Sequence, residues 1–243
     1  MTGPAARPRA ARRKVQATVL DYGVGNMHSL AKALTLAGAA VRLESDPERA
    51  LDTELLVLPG VGAFAAAAER IGPARVAMRR AVSGGASDAP AVLGICLGMQ
   101  LLFEGSEEGP GAGLGVLRGG VTRLRARRVP HMGWNTVSDV ARGRDRLGVR
   151  DAAVERSGLE YAYYAHGYAC RPADARVVTA WLAIDDDEVP TIVRWRGIVG
   201  VQFHPEKSGP EGLRFLREIV SAVPRRPTKG PASTAVEAEG VPS

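Results

Sequence analysis

The sequence predicts an α/β fold in which a mostly parallel central sheet is flanked by helices and carries appended antiparallel strands. Three observations support that expectation. Short apolar runs recur in the first hundred residues, and most close on a glycine-bearing turn. A segment with helical spacing follows each such turn, and strand–turn–helix repeats of this kind build parallel sheets. After about residue 113 the texture changes to short β-rich runs in close succession.

The first run, 15–21, is β-rich and stops at Gly23-Val24-Gly25-Asn26. A helix is expected over 27–37, with Leu30, Leu34 and Ala37 on one face and Gly38 just beyond its end. A second short strand covers 41–43. The third, 55–58, is wholly apolar and ends at Pro59-Gly60-Val61-Gly62, ahead of a helix over 63–70. The run 91–95 is another buried-type strand, followed by a helical run over 99–104. Beyond it, 116–124, 161–168, 176–184, 191–195 and 198–203 read as strands of the antiparallel part, and 211–220 as a closing amphipathic helix. No internal repeat interrupts this order. One domain is therefore expected over 15–222, between a disordered basic tail at 1–14 and a disordered C-terminal tail at 223–243.

Composition narrows the function classes. A hydrophobic fraction of 45% in 243 residues supports a full core. No apolar run approaches the roughly 20 residues that span a bilayer, so no membrane association is expected. The net charge of +6 owes five cations to Arg7, Arg9, Arg12, Arg13 and Lys14, with no acid among the first 14 residues. The rest is nearly neutral, so the charge belongs to a tail rather than to a basic face, and no nucleic-acid partner is expected. Two cysteines, Cys96 and Cys170, make neither a disulfide framework nor a four-ligand zinc site. No metal and no cofactor are expected. The absence of an apolar leader points to a reducing cytoplasm.

Gly94-Ile95-Cys96-Leu97-Gly98 sits between an apolar strand and a helical run. This is a nucleophile elbow with cysteine in the central place. Glycines two positions either side are needed because a Cβ there would crowd the neighbouring backbone. The turn lifts the thiol clear of the sheet and sets it at a helix start, where the anion is favoured. Taken alone, Cys96 also reads as a buried structural cysteine. A thiol nucleophile needs a base. His204 lies in Val201-Gln202-Phe203-His204-Pro205-Glu206, and on an extended segment His204 and Glu206 point to one side. Glu206 could then fix the imidazole tautomer and leave the other ring nitrogen to the thiol. Pro205 places the pair at a strand end. The other reading is a surface His-Pro-Glu turn. His28 reads as a helix-surface residue, and His131 and His166 could be structural.

Together these motifs resemble the class I glutamine amidotransferases, and the match narrows to the glutaminase subunits of imidazole glycerol phosphate synthases. The segments that carry it are Asp21-Tyr22-Gly23-Val24-Gly25-Asn26, Leu58-Pro59-Gly60-Val61-Gly62-Ala63-Phe64 and Gly94-Ile95-Cys96-Leu97-Gly98-Met99-Gln100-Leu101-Leu102. Ser106-Glu107-Glu108-Gly109, Pro130-His131-Met132-Gly133-Trp134-Asn135 and Gln202-Phe203-His204-Pro205-Glu206-Lys207-Ser208 complete it, in the family's order. The resemblance implies a flavodoxin-like sheet and L-glutamine as substrate. It implies Cys96, His204 and Glu206 as the catalytic residues, working through a glutamyl thioester that water resolves to glutamate and ammonia. By the same resemblance, backbone amides of Val61 and Leu97 are oxyanion donors, and Gly62, Gln100, Glu108, His166, Gly167 and Tyr168 bind the substrate. Gly167 departs from the family, which usually has serine there; a main-chain contact survives that change and a hydroxyl contact does not. Gln100 and Glu108 also read as an ordinary polar helix face.

The resemblance further implies a partner. Ammonium is a poor nucleophile, so ammonia should pass through a dry route to an acceptor. The family's acceptor site is a separate cyclase subunit, a (β/α)₈ barrel, and the two form a heterodimer that makes imidazole glycerol phosphate and an aminoimidazole carboxamide ribonucleotide in histidine biosynthesis. Asn26, Trp134 and Lys207 are the candidates for its docking face. Two other functions fit the same motifs less well: a non-catalytic regulatory subunit, and a stand-alone cysteine-dependent γ-glutamyl hydrolase.

Overall fold

The computed structural model describes residues 13–23, 27–83, 89–137 and 151–225. Asn26, most of the basic tail and most of the C-terminal tail lie outside the described residues. The first half alternates strands and helices: β1 (Val15–Leu20), α1 (His28–Leu36), β2 (Ala39–Glu44), β3 (Leu55–Leu58), α2 (Phe64–Ile71), α3 (Arg75–Ser83), β4 (Ala91–Ile95) and α4 (Leu97–Gln100). The second half is mainly strands: β5 (Gly119–Arg123), β6 (His131–Thr136), α5 (Ala152–Ser157), β7 (Tyr161–His166), β8 (Tyr168–Pro172), β9 (Val178–Ile184), β10 (Asp187–Trp195), β11 (Ile198–Val201) and α6 (Gly209–Ala222).

The main sheet has seven strands in the order β2-β1-β3-β4-β11-β10-β9. β2, β1, β3, β4 and β11 pair in parallel, and β10 and β9 add to the β11 side in antiparallel fashion. β3 and β11 are buried at every position, because helices cover both faces. Alternate residues feed two cores. Val19, Leu55, Val57, Leu93, Ile95 and Val201 face Leu30 and Leu34 of α1 and Phe215, Leu216 and Ile219 of α6. Leu56, Leu58 and Val92 face Phe64 and Ile71 of α2, Met78 of α3 and the segment after α4. The edge strand β9 instead alternates buried and half-buried residues, as expected where one face is less covered. Two small antiparallel pairs, β5–β8 and β6–β7, stand apart from the main sheet. Among the described residues no helix is long and apolar enough to cross a membrane.

The structure corrects several sequence expectations. The run 198–203 is not wholly in the antiparallel part: β11 lies parallel to β4 in register Val201↔Ile95 and antiparallel to β10. The helix expected over 99–104 is a single turn, α4, starting at Leu97. Carbonyls of Leu101, Leu102 and Phe103 instead accept main-chain N–H groups of Leu114, Val116 and Gly115. Arg13, counted with the tail, pairs with the buried carboxylate of Glu54 at 2.5 Å, so its charge serves the fold. β6, β8 and the helices α3 and α5 have no counterpart among the expected elements, and the expected strand over 161–168 ends at His166.

Candidate active site

The carboxyl ends of β3, β4 and β11 lie side by side, and the loops that leave them hold the chemical groups. In open α/β sheets this is where ligands bind. Cys96 follows β4 directly and has φ +46° and ψ −103°, a conformation that L-residues rarely adopt. Its amide is held by the Val201 carbonyl at 2.7 Å. The flanking glycines make the turn possible. A Cβ on Gly94 would lie 2.6 Å from the Gly98 oxygen, and one on Gly98 would lie 1.9 Å from the Leu58 oxygen. Cys96 is not sealed in hydrocarbon: its sulfur has polar neighbours, the Ala165 carbonyl of β7 at 3.8 Å and the Gln202 side-chain amide at 3.5 Å.

His204 comes three residues after β11. It does not meet Glu206 by the two-residue period of an extended segment. Pro205 opens a 3₁₀ turn, with Lys207 N–H donating to the His204 carbonyl at 3.0 Å, and the turn swings Glu206 back onto the ring. His204 Nδ1 lies 2.8 Å from Glu206 Oε1. A carboxylate only accepts, so Nδ1 carries the proton and Nε2 is left for the neighbouring Cys96. A Cβ placed on Gly60 would come 3.0 Å from both Cys96 Cβ and His204 Cε1, so thiol and imidazole crowd one point above the β3 turn. Burial lowers the His204 pKa, but its contacts with Cys96 and Glu206 outweigh burial and raise it to about 9. The structure thus brings Cys96, His204 and Glu206 together.

The turn holding His204 is fastened to β7. His204 N–H donates to the Tyr163 carbonyl at 2.8 Å, and Tyr163 N–H donates to Ser208 Oγ at 3.0 Å. Ser208 Oγ also donates to the His204 carbonyl at 2.6 Å.

The remaining candidates fall into two groups around this centre. Val61 is half-buried and Gly62 exposed in the loop after β3, where Gly62 has φ +101°. Leu97 is the first residue of α4. Glu108 reaches the same β3 loop, but as a cap: its Oε2 accepts the N–H of Phe64 at the start of α2, 3.1 Å away. On the other side, the Tyr168 carbonyl accepts Gln100 Nε2 at 3.3 Å and His166 Nδ1 at 2.9 Å. That contact fixes the His166 tautomer and leaves Nε2 as a buried acceptor without a partner among the described residues. Burial, against the opposing contact with the Tyr168 carbonyl and with smaller help from His131 and His204, brings the His166 pKa down to about 4. Gly167 lies half-buried between β7 and β8.

Trp134 and Lys207 meet on the outer face of the β6–β7 pair. Trp134 packs edge-on to Tyr163, and Lys207 Nζ stands 5.8 Å over the same ring. Register pairs Trp134 with Tyr163 and Met132 with Ala165, and the main-chain carbonyl of Ala165 lies beside the Cys96 sulfur. Met132, Trp134 and Tyr161 are 65%, 58% and 57% exposed, an unusual cluster for large apolar side chains. Sequence reasoning missed Gln202, Tyr163 and Ser208. A lone glutamine, tyrosine or serine has no spacing signature; only the adjacency of Gln202 to the His-Pro-Glu segment could have pointed to it.

Comparison with known proteins agrees with this architecture. The family model for glutamine amidotransferase class-I matches residues 18–222. The imidazole glycerol phosphate synthase subunit HisH of Thermococcus kodakarensis is 43% identical over 205 residues, covering 83% of this chain and 97% of the relative. The HisH subunits of Natronomonas pharaonis and Bacillus subtilis are 39% and 36% identical, covering 86% and 87% of this chain and 95% and 98% of the relatives. Among solved structures, a glutamine amidotransferase superposes with a TM-score of 0.61 at 21% identity, covering 84% of this chain and 98% of its own. PurLQS from Thermotoga maritima gives 0.56 at 21% identity, covering 86% and 99%. The solved structures support the α/β fold, and the sequence matches carry the kinship: the chain belongs to the class-I glutamine amidotransferases and, among them, to the HisH subunits of imidazole glycerol phosphate synthase.

Proposed function

We propose that this chain is the glutaminase half of imidazole glycerol phosphate synthase in histidine biosynthesis and that Cys96, His204 and Glu206 carry its chemistry. The observation that supports this most is the Glu206 carboxylate bonded to the His204 ring, with that ring and Cys96 crowded on one point above Gly60. The raised His204 pKa suits an imidazolium facing a thiolate. In the proposed reaction Cys96 Sγ bonds to the side-chain amide carbon of L-glutamine. His204 Nε2–H gives its proton to the amide nitrogen, the C–N bond breaks, and ammonia leaves. The neutral imidazole then takes a proton from water, which attacks the thioester carbon. The C–S bond breaks and glutamate departs. Glu206 keeps the imidazole in the useful tautomer.

Glutamine would lie between the 60–64 loop and residues 166–168, with Cys96 at the floor. Val61 and Leu97 amides would meet the oxyanion, a contact type whose loss costs about 10²–10³ in rate. Gly62, Gln100, Glu108 and residues 166–168 border that cleft. The partner would be a cyclase barrel seated on the exposed β6–β7 face that carries Trp134 and Lys207, on the strand pair whose Ala165 carbonyl lies beside the Cys96 sulfur. Both cysteines are free and buried, which suits a reducing cytoplasm.

The test is glutamate release with and without the cyclase. Release that rises with the barrel and vanishes in Cys96→Ala, while ammonia-driven synthesis persists, is the expected result. Silence of the assembled pair would mean a non-catalytic subunit. Turnover of equal rate without the barrel would mean a stand-alone hydrolase.

A further inference from the structure

Gln202 contacts the Cys96 sulfur, yet the reaction above gives it no part. Its position follows from the sheet. Val201 ends β11 opposite Ile95 of β4, so continuing that register puts Gln202 beside Cys96. Its main-chain N–H donates to the Thr191 carbonyl of β10 at 2.9 Å. The residue is wholly buried, and its Nε2 stands 3.5 Å from Cys96 Sγ, a bonded separation for a donor to the larger sulfur atom.

We propose that Gln202 is a further catalytic residue: its side-chain amide donates a hydrogen bond to the Cys96 sulfur and stabilises the anionic nucleophile. The inference rests on the reading of Cys96 given above. The first argument is orientation. A thiolate offers only lone pairs, so it selects the amide nitrogen and turns the amide oxygen away. The second is what that orientation leaves behind. Gln202 Oε1 is buried without a donor among the described residues. Methionine has similar length and no bare acceptor, so space-filling alone does not call for glutamine here. The third is timing. His204 surrenders its proton to the leaving amine and then no longer offers that donor to sulfur. Gln202 has no proton to surrender. It still faces the sulfur in the second half-reaction, when the C–S bond breaks and sulfur takes back the electron pair. A hydrogen bond to an ion is about twice as strong as a neutral one, so the contact is worth most in those charged states.

The test compares wild type, Gln202→Met and Gln202→Glu, each as the full chain assembled with its cyclase partner. Alkylation of Cys96 by iodoacetamide is followed against pH, alongside kcat and KM for glutamine and the melting temperature. Cys96→Ala reports any labelling of Cys170. Both variants should alkylate at Cys96 about tenfold more slowly at pH 7 and need more alkaline conditions. Their kcat should fall by a similar factor with KM nearly unchanged. Gln202→Glu keeps the native shape, so it serves if Gln202→Met fails to fold. A folded variant with a wild-type alkylation profile and kcat overturns the proposal. So does a rise in KM alone, and so does failure of both variants to fold, which would assign Gln202 to the scaffold. If wild-type Cys96 itself resists alkylation, the nucleophile assignment fails instead.

Discussion

Two buried ion pairs in this molecule are built in opposite ways. At the far end of β10, Asp151 accepts hydrogen bonds from the Ala153 and Val154 amides, the Thr179 hydroxyl and two nitrogens of Arg194. Burial alone would raise its pKa, but Arg194 and Thr179 outweigh burial and hold it below the usual carboxylate range. Every lone pair is in use, one protonation state is fixed, and the same carboxylate caps α5. Near the carboxyl end of β11, Glu206 takes His204 on Oε1, while Oε2 is buried without a partner among the described residues. The imidazole it serves faces a sulfur on a residue of strained backbone. A saturated pair holds structure together. An under-filled pair next to a strained nucleophile leaves a proton free to move, at some cost in stability.

That contrast can be broken at either pair. His204→Ala should lower kcat for glutamine by about 10³-fold or more, with a melting temperature close to wild type when both are compared near pH 9, where the charge on His204 no longer adds stability; steady-state kinetics and calorimetry check both. Asp151→Ala should do the reverse. Leaving Arg194 unpaired and α5 uncapped should cost about 3 kcal/mol in denaturant unfolding, with kcat within twofold. A large loss of activity there would erase the distinction. Gly60→Ala probes the space between the reacting groups. Its Cβ would press on Cys96, His204 and the Ile95 carbonyl, so kcat should fall about 10²-fold with little change in fold.

Stability against pH sharpens the same comparison with a smaller effect. His204 binds its proton more tightly folded than unfolded, so its contribution is complete below the ordinary histidine value of 6.5 and is lost as pH rises to about 9. His166 does the opposite: its contribution is complete above 6.5 and is lost as pH falls to about 4. Asp151 adds stability above the ordinary carboxylate range that is lost on further acidification. Unfolding free energy should therefore peak near pH 6.5, and His204→Ala should flatten only the alkaline side. An unchanged alkaline slope in that variant would contradict the raised histidine pKa.

The parallel half of the fold was legible because its signals are local. Leu55–Leu58 is apolar at every position, and Pro59-Gly60 ends it. The glycines around Cys96 announced a turn whose close contacts the structure displays. The antiparallel half was less legible. β6 contains His131, Gly133 and Asn135, none a strong strand former, and it is held by its pairing with β7. Within the parallel half α3 was the exception, since it has mostly arginine and small residues, with only Met78 and Val82 buried. At the site, the catalytic candidates announced themselves by chemistry. The means of holding them did not. The Ser208 and Tyr163 staple and the Gln202 contact with sulfur depend on chain segments that meet only in space, and the 3₁₀ turn that closes His204 onto Glu206, though local, replaces the extended geometry expected for that segment.

The most direct test is covalent. The assembled enzyme should be treated with a diazoketone analogue of glutamine, which alkylates a nucleophile seated at the substrate amide carbon, and the label mapped by peptide mass spectrometry. One adduct per chain, on Cys96 alone, blocked by excess glutamine and greatly slowed in His204→Ala, is the predicted result. A label on Cys170 or elsewhere, or an unlabelled Cys96 in an assembly that consumes glutamine, would contradict it.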